Sequence, residues 1–317
     1  RWKNLTTLYL AVPCYNEEEI LEDTTNKLIC KMQSLIDSGK ISHDSRIMYI
    51  DDGSKDNTWK IIESLHNEHE LVIGLKMSRN RGHQNALYGG LMVAKKYADA
   101  VISIDADLQD DINAFDEMLE KYENGCDIVY GVRSKRKTDT FFKRFTAEGF
   151  YKILRLLGAE VVFNHADYRL MSKRALDEFE NFGEVNLFLR GIVPMIGFKT
   201  DTVEYERLER LAGESKYPLK KMLALAWQGV TSLSIKPIRF ITVLGALVFI
   251  VSILMLIYSL ISHFTGQTTL GWTSLIVSIW ALGGLQLLAI GIIGEYIGKI
   301  YLETKHRPRF IVEKFIK

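Results

Sequence analysis

Short apolar runs and longer amphipathic stretches alternate over the first half of the chain. Leu8–Val12, Ile47–Ile50, Leu71–Leu75, Val101–Ile104 and Ile128–Tyr130 are brief, continuous and rich in β-formers, which predicts buried strands. The intervening Glu18–Ile36, Thr58–Asn67, Gln84–Tyr97 and Phe115–Asn124 predict helices. That alternation implies an α/β domain with a mostly parallel sheet. Further on, Phe141–Leu157 and Lys173–Phe179 read as helices, Asp167–Leu170 as a short strand and Phe198–Tyr205 as a final strand.

The pattern then changes. Leu219, Met222, Leu223, Ala226, Trp227, Val230 and Leu233 recur at three- and four-residue spacing, with Lys220 and Lys221 off the stripe. This predicts an amphipathic helix lying on an anionic lipid surface. Ile241–Ile261 follows, 21 residues without a charge, and Trp272–Gly294 adds 23 more. At about 1.5 Å per residue each spans about 30 Å, a hydrocarbon thickness. The second run is crowded with Gly283, Gly284, Gly291 and Gly294, with Gly298 just beyond, which permits close helix approach. The organisation expected is a domain over 1–210, juxtamembrane helices over 211–239, two spans over 240–296 and a tail over 297–317. Within that tail, Pro308–Val312 reads as a short extended segment able to dock on a neighbour.

Charge refines this picture. The net charge of +1 argues against a nucleic-acid binder held by a global basic field. The neutrality is uneven, however. Seven Lys/Arg face two Glu from Arg207 to Arg239, and six face three Glu from Glu295 to Lys317. The connecting loop, Ser262–Gly271, has no Lys or Arg. By the positive-inside bias the loop faces outward, and the large domain and both termini face the cytoplasm of a multi-pass plasma-membrane protein. No signal peptide is visible, since Leu8–Val12 is too short for one. Cys14, Cys30 and Cys126 are scattered, without zinc-site spacing, and read as reduced thiols.

Ligands of parallel sheets gather at the carboxyl ends of the strands, and the polar motifs sit there. Pro13-Cys14-Tyr15-Asn16-Glu17 ends the first strand, Asp51-Asp52-Gly53-Ser54 the second and Arg79-Asn80-Arg81-Gly82-His83 the third. Asp105-Ala106-Asp107-Leu108-Gln109-Asp110 ends the fourth, and Gly131-Val132-Arg133 the fifth. Asp167-Tyr168-Arg169 follows later. No GxGxxG follows the first strand, which disfavours a dinucleotide-dependent oxidoreductase.

Taken in this order, with two C-terminal spans, the motifs resemble glycosyltransferase family 2 with its GT-A fold, and within it the polyprenyl-phosphate glycosyltransferases. The resemblance covers essentially the whole chain. It implies inverting transfer of one sugar from a nucleotide sugar, UDP-glucose first, to a polyprenyl phosphate, undecaprenyl phosphate first. It also implies a homo-oligomer of four copies. Among the donor-binding positions Pro13, Tyr15, Glu17, Asp52, Arg79, Asn80, Asp105 and Lys216, it assigns the base to Asp52 and the ribose hydroxyls to Glu17.

The departing diphosphate calls for a hard divalent cation, Mg²⁺ or Mn²⁺. Asp105, Asp107 and Gln109 share a face if their segment stays extended. The resemblance makes Asp107 the surest ligand. Asp51, Asp110 and Asp111 suit helix capping, and the Pro common in the family near Asp111 is missing. An ionised lipid phosphate needs a cationic cradle more than a base. Arg133, Arg169 and Lys216 are the candidates for it, with Lys143 and Arg144 behind them. Asp167 is the ambiguous catalytic residue: a base, a sugar-orienting group or the partner of Arg169. His83 is read either as a phosphate contact or as a helix-start histidine. Processive polysaccharide synthases share the domain but carry Gln-x-x-Arg-Trp, which is missing around Trp227. An inactive scaffold on the same fold would have lost a metal carboxylate or a phosphate-binding Arg, and none is lost.

Overall fold

The computed structural model describes residues 5–133, 165–184, 187–206, 236–265 and 271–317. The expected helices at 141–157 and 218–233, and the side chains of Lys143, Arg144 and Lys216, lie outside these residues. Two compact units are present, one holding a mixed sheet and the tail, the other the two long apolar helices.

The sheet unit is the expected α/β domain. β1 (Leu8–Cys14), β2 (Arg46–Asp51), β3 (Val72–Met77) and β4 (Ala100–Ser103) are parallel neighbours in the order β4-β1-β2-β3. Their near-continuous apolar character follows from burial on both faces. Helices α1 (Leu21–Asp37), α2 (Thr58–Glu68), α3 (His83–Ala94) and α4 (Ala114–Glu123) form the connections and cover the sheet. On α1 the buried Leu21, Leu28, Met32 and Leu35 form the stripe that packs into the core. Each such side chain contributes about 2 kcal/mol by leaving water.

Beyond β4 lie β6 (His165–Ser172), β5 (Ile128–Arg133) and β7 (Thr200–Tyr205). β6 is antiparallel to both of its neighbours, with Ser103 opposite Arg169. Its reversed direction matters for the site. The start of β6, Asp167, arrives at the same rim as the end of β4. Helices α5 (Lys173–Glu180) and α6 (Leu189–Met195) complete this half. The α6 helix has no counterpart in the sequence reading.

The tail strand falls at Val312–Ile316, beyond most of the expected Pro308–Val312, and it pairs within its own chain. β8 (Val312–Ile316) adds antiparallel to the free edge of β3, and Ser78 N–H donates to the Ile311 carbonyl at 2.9 Å. Phe310 packs edge-on against Tyr88 of α3, with ring centroids 6.0 Å apart. The Arg309 guanidinium lies over the same ring and donates to the Phe182 carbonyl. Lys314 pairs with Glu63 at 2.6 Å, and Lys76 with Glu313 at 3.2 Å.

In the second unit, α7 (Lys236–Phe264) and α8 (Trp272–Thr304) are long and apolar enough to cross a membrane. Neither span is buried by protein, and Leu254, Tyr258, Leu287 and Ile290 lie exposed along them. Among the described residues neither helix is packed as the core helix of a soluble domain would be.

Candidate active site

Parallel strands in register end together, so the rim collects the loops that follow Cys14, Asp51, Met77 and Ser103. The first two loops are stitched side by side. Asn16, in the left-handed region at φ 55°, donates its N–H to Ser54 Oγ at 3.0 Å, and Lys55 N–H donates to Asn16 Oδ1 at 2.9 Å. Glu17 N–H donates to Thr58 Oγ1 at 2.9 Å, leaving a half-buried Glu17 near the rim. Tyr15 is exposed, and Pro13 is buried within β1. Asp51 is buried and makes a turn, accepting from Ser54 N–H at 3.0 Å, so the expected cap of the next helix is not what it provides.

Gly53 lies at φ +68° against the third loop. A Cβ there would stand 2.6 Å from Asn80 N and 2.8 Å from the Arg79 carbonyl carbon. Backbone cannot yield as a flexible side chain does, so the first effect of Gly53→Ala is on stability. A loss on the order of 2–3 kcal/mol is expected, read as a lower melting temperature. Unchanged melting would show that the loop shifts freely.

Asp52 is placed differently from the expectation. Its side chain accepts from Arg81 N–H at 2.8 Å through Oδ1 and from Gly82 N–H at 2.9 Å through Oδ2. The residue is 2% exposed. Burial raises its pKa, and the two amide donors pull it back. The carboxylate assigned to the nucleobase therefore latches the 79–82 loop, and reading of the base rests on the resemblance alone. Arg79 and Asn80 are exposed on that loop.

The segment after β4 does not stay extended. Leu108 takes φ 44°, and its N–H closes a turn onto the Asp105 carbonyl at 3.2 Å. The shared face expected of Asp105, Asp107 and Gln109 is lost: both Asp side chains are partly exposed, whereas Gln109 is buried. Burial, reinforced by the carboxylates of Asp167, Asp110 and Asp107 and opposed by His83, pushes Asp105 up to about 6. Its side chain still keeps 45% of its surface, so the crowding of negative charge is felt at an accessible position. His83 Nε2 bridges the rim, 3.7 Å from Asp105 Oδ1 and 3.8 Å from Asp167 Oδ2.

This is a set of hard donors with surplus negative charge, which fits Mg²⁺ or Mn²⁺. Among the described residues no three His, Cys, Asp or Glu side chains converge on one point. A cation held by Asp107 and Asp105 would thus complete its shell from water and substrate phosphate, as Mg²⁺ commonly does.

Asp110 does not cap a helix. It is buried, accepts from Tyr205 O–H at 2.5 Å and pairs with Arg133 at 3.3 Å, while Arg133 Nε donates to the Tyr205 hydroxyl oxygen at 3.2 Å. Arg133 is thereby aimed and remains partly exposed. Asp111 accepts from Asn113 N–H at 2.9 Å and does shape the approach to α4.

Arg169 needs correction. It lies inside β6, and its side chain is 1% exposed, paired with Asp167 Oδ1 at 2.9 Å. A guanidinium so buried supports Asp167 and cannot cradle a lipid phosphate in this arrangement. Asp167 also receives Arg190 on Oδ2 at 3.3 Å. Burial opposes ionisation, but Arg190 and Arg169 outweigh it and hold the Asp167 carboxyl well below the usual range. Such a group is a weak base. Arg190, Tyr205 and the anchoring role of Asp110 were missed in the sequence. Arg190 had a signal, as an isolated charge in Leu187–Val193.

Comparison with known proteins fits this geometry. A family model described as "Glycosyl transferase family 2" matches residues 9–179. An uncharacterized glycosyltransferase, YkoT, of Bacillus subtilis is 55% identical over 96% of this chain and 91% of its own length. A bactoprenol glucosyl transferase of Shigella phage SfV is 42% identical over 96% of this chain and 97% of its own. Among solved structures, a mannosyltransferase of Pyrobaculum calidifontis, in complex with GDP-Man and Mn²⁺, superposes with a TM-score of 0.51. It is 16% identical, and the match covers 92% of this chain and 87% of that one, a likeness of fold.

Proposed function

This chain belongs to glycosyl transferase family 2, and on that premise we propose that it moves one sugar from a nucleotide sugar onto a polyprenyl phosphate at a membrane surface. The observation that carries the reading is the union of a carboxylate rim at the end of β4 with two unburied apolar helices in one chain. Relatives at 41–42% identity named bactoprenol glucosyl transferase support a glucosyl group and a bactoprenol-type lipid acceptor, and UDP-glucose and undecaprenyl phosphate are the substrates we propose.

In this reading the lipid phosphate is already anionic near neutral pH and attacks the anomeric carbon directly. The new C1–O bond forms as the bond to the nucleotide diphosphate breaks, with inversion. A bound Mg²⁺ or Mn²⁺ supplies charge neutralisation at the departing diphosphate, with Asp107 and Asp105 as its protein ligands. Glu17 holds ribose hydroxyls, and Arg133 guides the acceptor phosphate. Asp167, flanked by guanidinium groups, orients the sugar and takes no proton. Self-association through the open face of Gly284, Gly291 and Gly294, as a tetramer, belongs to the same proposal.

Membranes containing the protein, given labelled UDP-glucose and undecaprenyl phosphate, are expected to form an organic-extractable labelled lipid with a β-linked sugar. A water-soluble labelled polymer would point to a processive synthase, and an α-linked product would remove the in-line step.

The proposed orientation puts the sheet unit and the tail on the cytoplasmic side. Native Cys30 is exposed, whereas Cys14 and Cys126 are buried, so Cys30 reports on the sheet unit's side. In intact cells an impermeant maleimide should label a Thr268→Cys variant at the new site and leave Cys30 untouched until permeabilisation. Labelling of Cys30 from outside would reverse the orientation.

A further inference from the structure

Asp167 sits at the beginning of an antiparallel strand, and three groups from three elements surround its carboxylate. Arg169, on the same strand, approaches Oδ1 at 2.9 Å and is wholly buried, a fixed wall behind the site. Arg190, on α6, approaches Oδ2 at 3.3 Å and keeps 36% of its side-chain surface. His83, the first residue of α3, stands 3.8 Å from the same oxygen and 3.7 Å from Asp105. The element carrying Arg190 is itself tied to this corner, because Leu189 N–H donates to Gln84 Oε1 at 3.1 Å. Gln84 follows His83 directly. The start of α3 and the start of α6 therefore hold one another, and their side chains meet at Asp167.

We infer that Arg190 is a positioning residue of the transfer, fixing the Asp167 carboxylate against the buried Arg169 and toward the His83–Asp105 corner. The inference rests on the proposed sugar transfer. A carboxylate bonded on one oxygen only can swing about its last torsion; one held on both oxygens presents a single edge to a substrate hydroxyl. Removing Arg190 takes the guanidinium from Oδ2 and leaves the buried Asp167–Arg169 pair in place. The expected loss is one of alignment during reaction, not of substrate binding.

The test compares wild type, Arg190→Ala, Arg190→Lys, Asp167→Asn and the double Arg190→Ala/Asp167→Asn as full-length protein in membranes, by lipid-sugar formation. Arg190→Ala should lower kcat about a hundredfold, with KM for UDP-glucose and for the lipid phosphate each within about threefold of wild type. Free guanidinium in the assay should recover at least about tenfold of that kcat in Arg190→Ala and nothing in Asp167→Asn. The double variant should fall no more than about threefold below the weaker single. Arg190→Lys, which keeps charge and stem, should show the same kcat-only defect at smaller amplitude, and it replaces Arg190→Ala if that variant fails to fold. Unchanged kcat, or additive losses in the double variant, would overturn the inference. So would a donor KM raised more than about tenfold at full kcat, which would make Arg190 a diphosphate ligand, or a lipid KM so raised, which would make it an acceptor ligand. A wild type that labels no lipid overturns the proposed function and this inference together; an active wild type with an indifferent Arg190 overturns only the inference.

Discussion

Asp107→Asn is expected to lower turnover at least about a hundredfold, on the order of 3 kcal/mol of transition-state stabilisation, with little change in melting temperature. The substitution keeps shape and removes one negative charge from a partly exposed side chain on the Leu108 turn. Asp107 Oδ1 accepts from Gln109 N–H at 3.4 Å, a bond that the Asn amide oxygen can also accept, so the loss should appear in kcat and in cation affinity. Excess chelator should mimic it in the wild type and add little to the variant. The same corner gives a sign for pH. Asp105 is pushed up to about 6, so below that pH a proton occupies one of the two proposed ligands and competes with the cation. The metal concentration for half-maximal activity should rise as pH falls through 6 and level off above it. Full turnover of Asp107→Asn in chelator would remove the metal assignment altogether.

Arg133→Lys is the second large effect. Arg133 reaches the rim from the end of β5, pinned by Asp110 and by the Tyr205 hydroxyl. Lys supplies a charge but not the planar fork, and it cannot satisfy Asp110 and a phosphate with the same geometry. A fall of about a hundredfold in kcat/KM for the lipid phosphate is expected, with the UDP-glucose response changed by less than about threefold. Tyr205→Phe removes a hydroxyl that holds both Asp110 and Arg133, and should move the same parameter in the same direction by less. Collapse of donor affinity with a normal lipid response would assign Arg133 to the other substrate.

The parallel half of the sheet was legible in the sequence because its strands are buried on both faces and their runs stand out as apolar islands. The rim motifs were legible for the same reason, since polarity resumes abruptly where each strand ends. The side-chain partners were not. Asp52 and Asp107 look alike as rim carboxylates, yet one is closed over by the amides of Arg81 and Gly82, and the other stays partly open. That difference is decided by a loop thirty residues away in sequence. Arg169 was misjudged because a short strand has two sides, and alternation alone does not tell which is interior. The pairing of Arg190 with Asp167 depends on where α6 docks, which no local pattern records. The tail strand was misjudged because its register is set by the open edge of β3, not by its own few residues.

That edge has a consequence for synthesis. The chain emerges from the ribosome N-terminus first, so β3 is made more than two hundred residues before the strand that completes it. Both apolar helices are translated in the interval. Until then β3 presents an unpaired ladder, the kind of edge that recruits other chains. Final closure of the sheet is thus a late event, set by the position of β8 at the far end of the chain. A stop codon at 306 would leave both helices whole and the sheet permanently unfinished, and such a product should accumulate as aggregate or be degraded although no rim residue is missing.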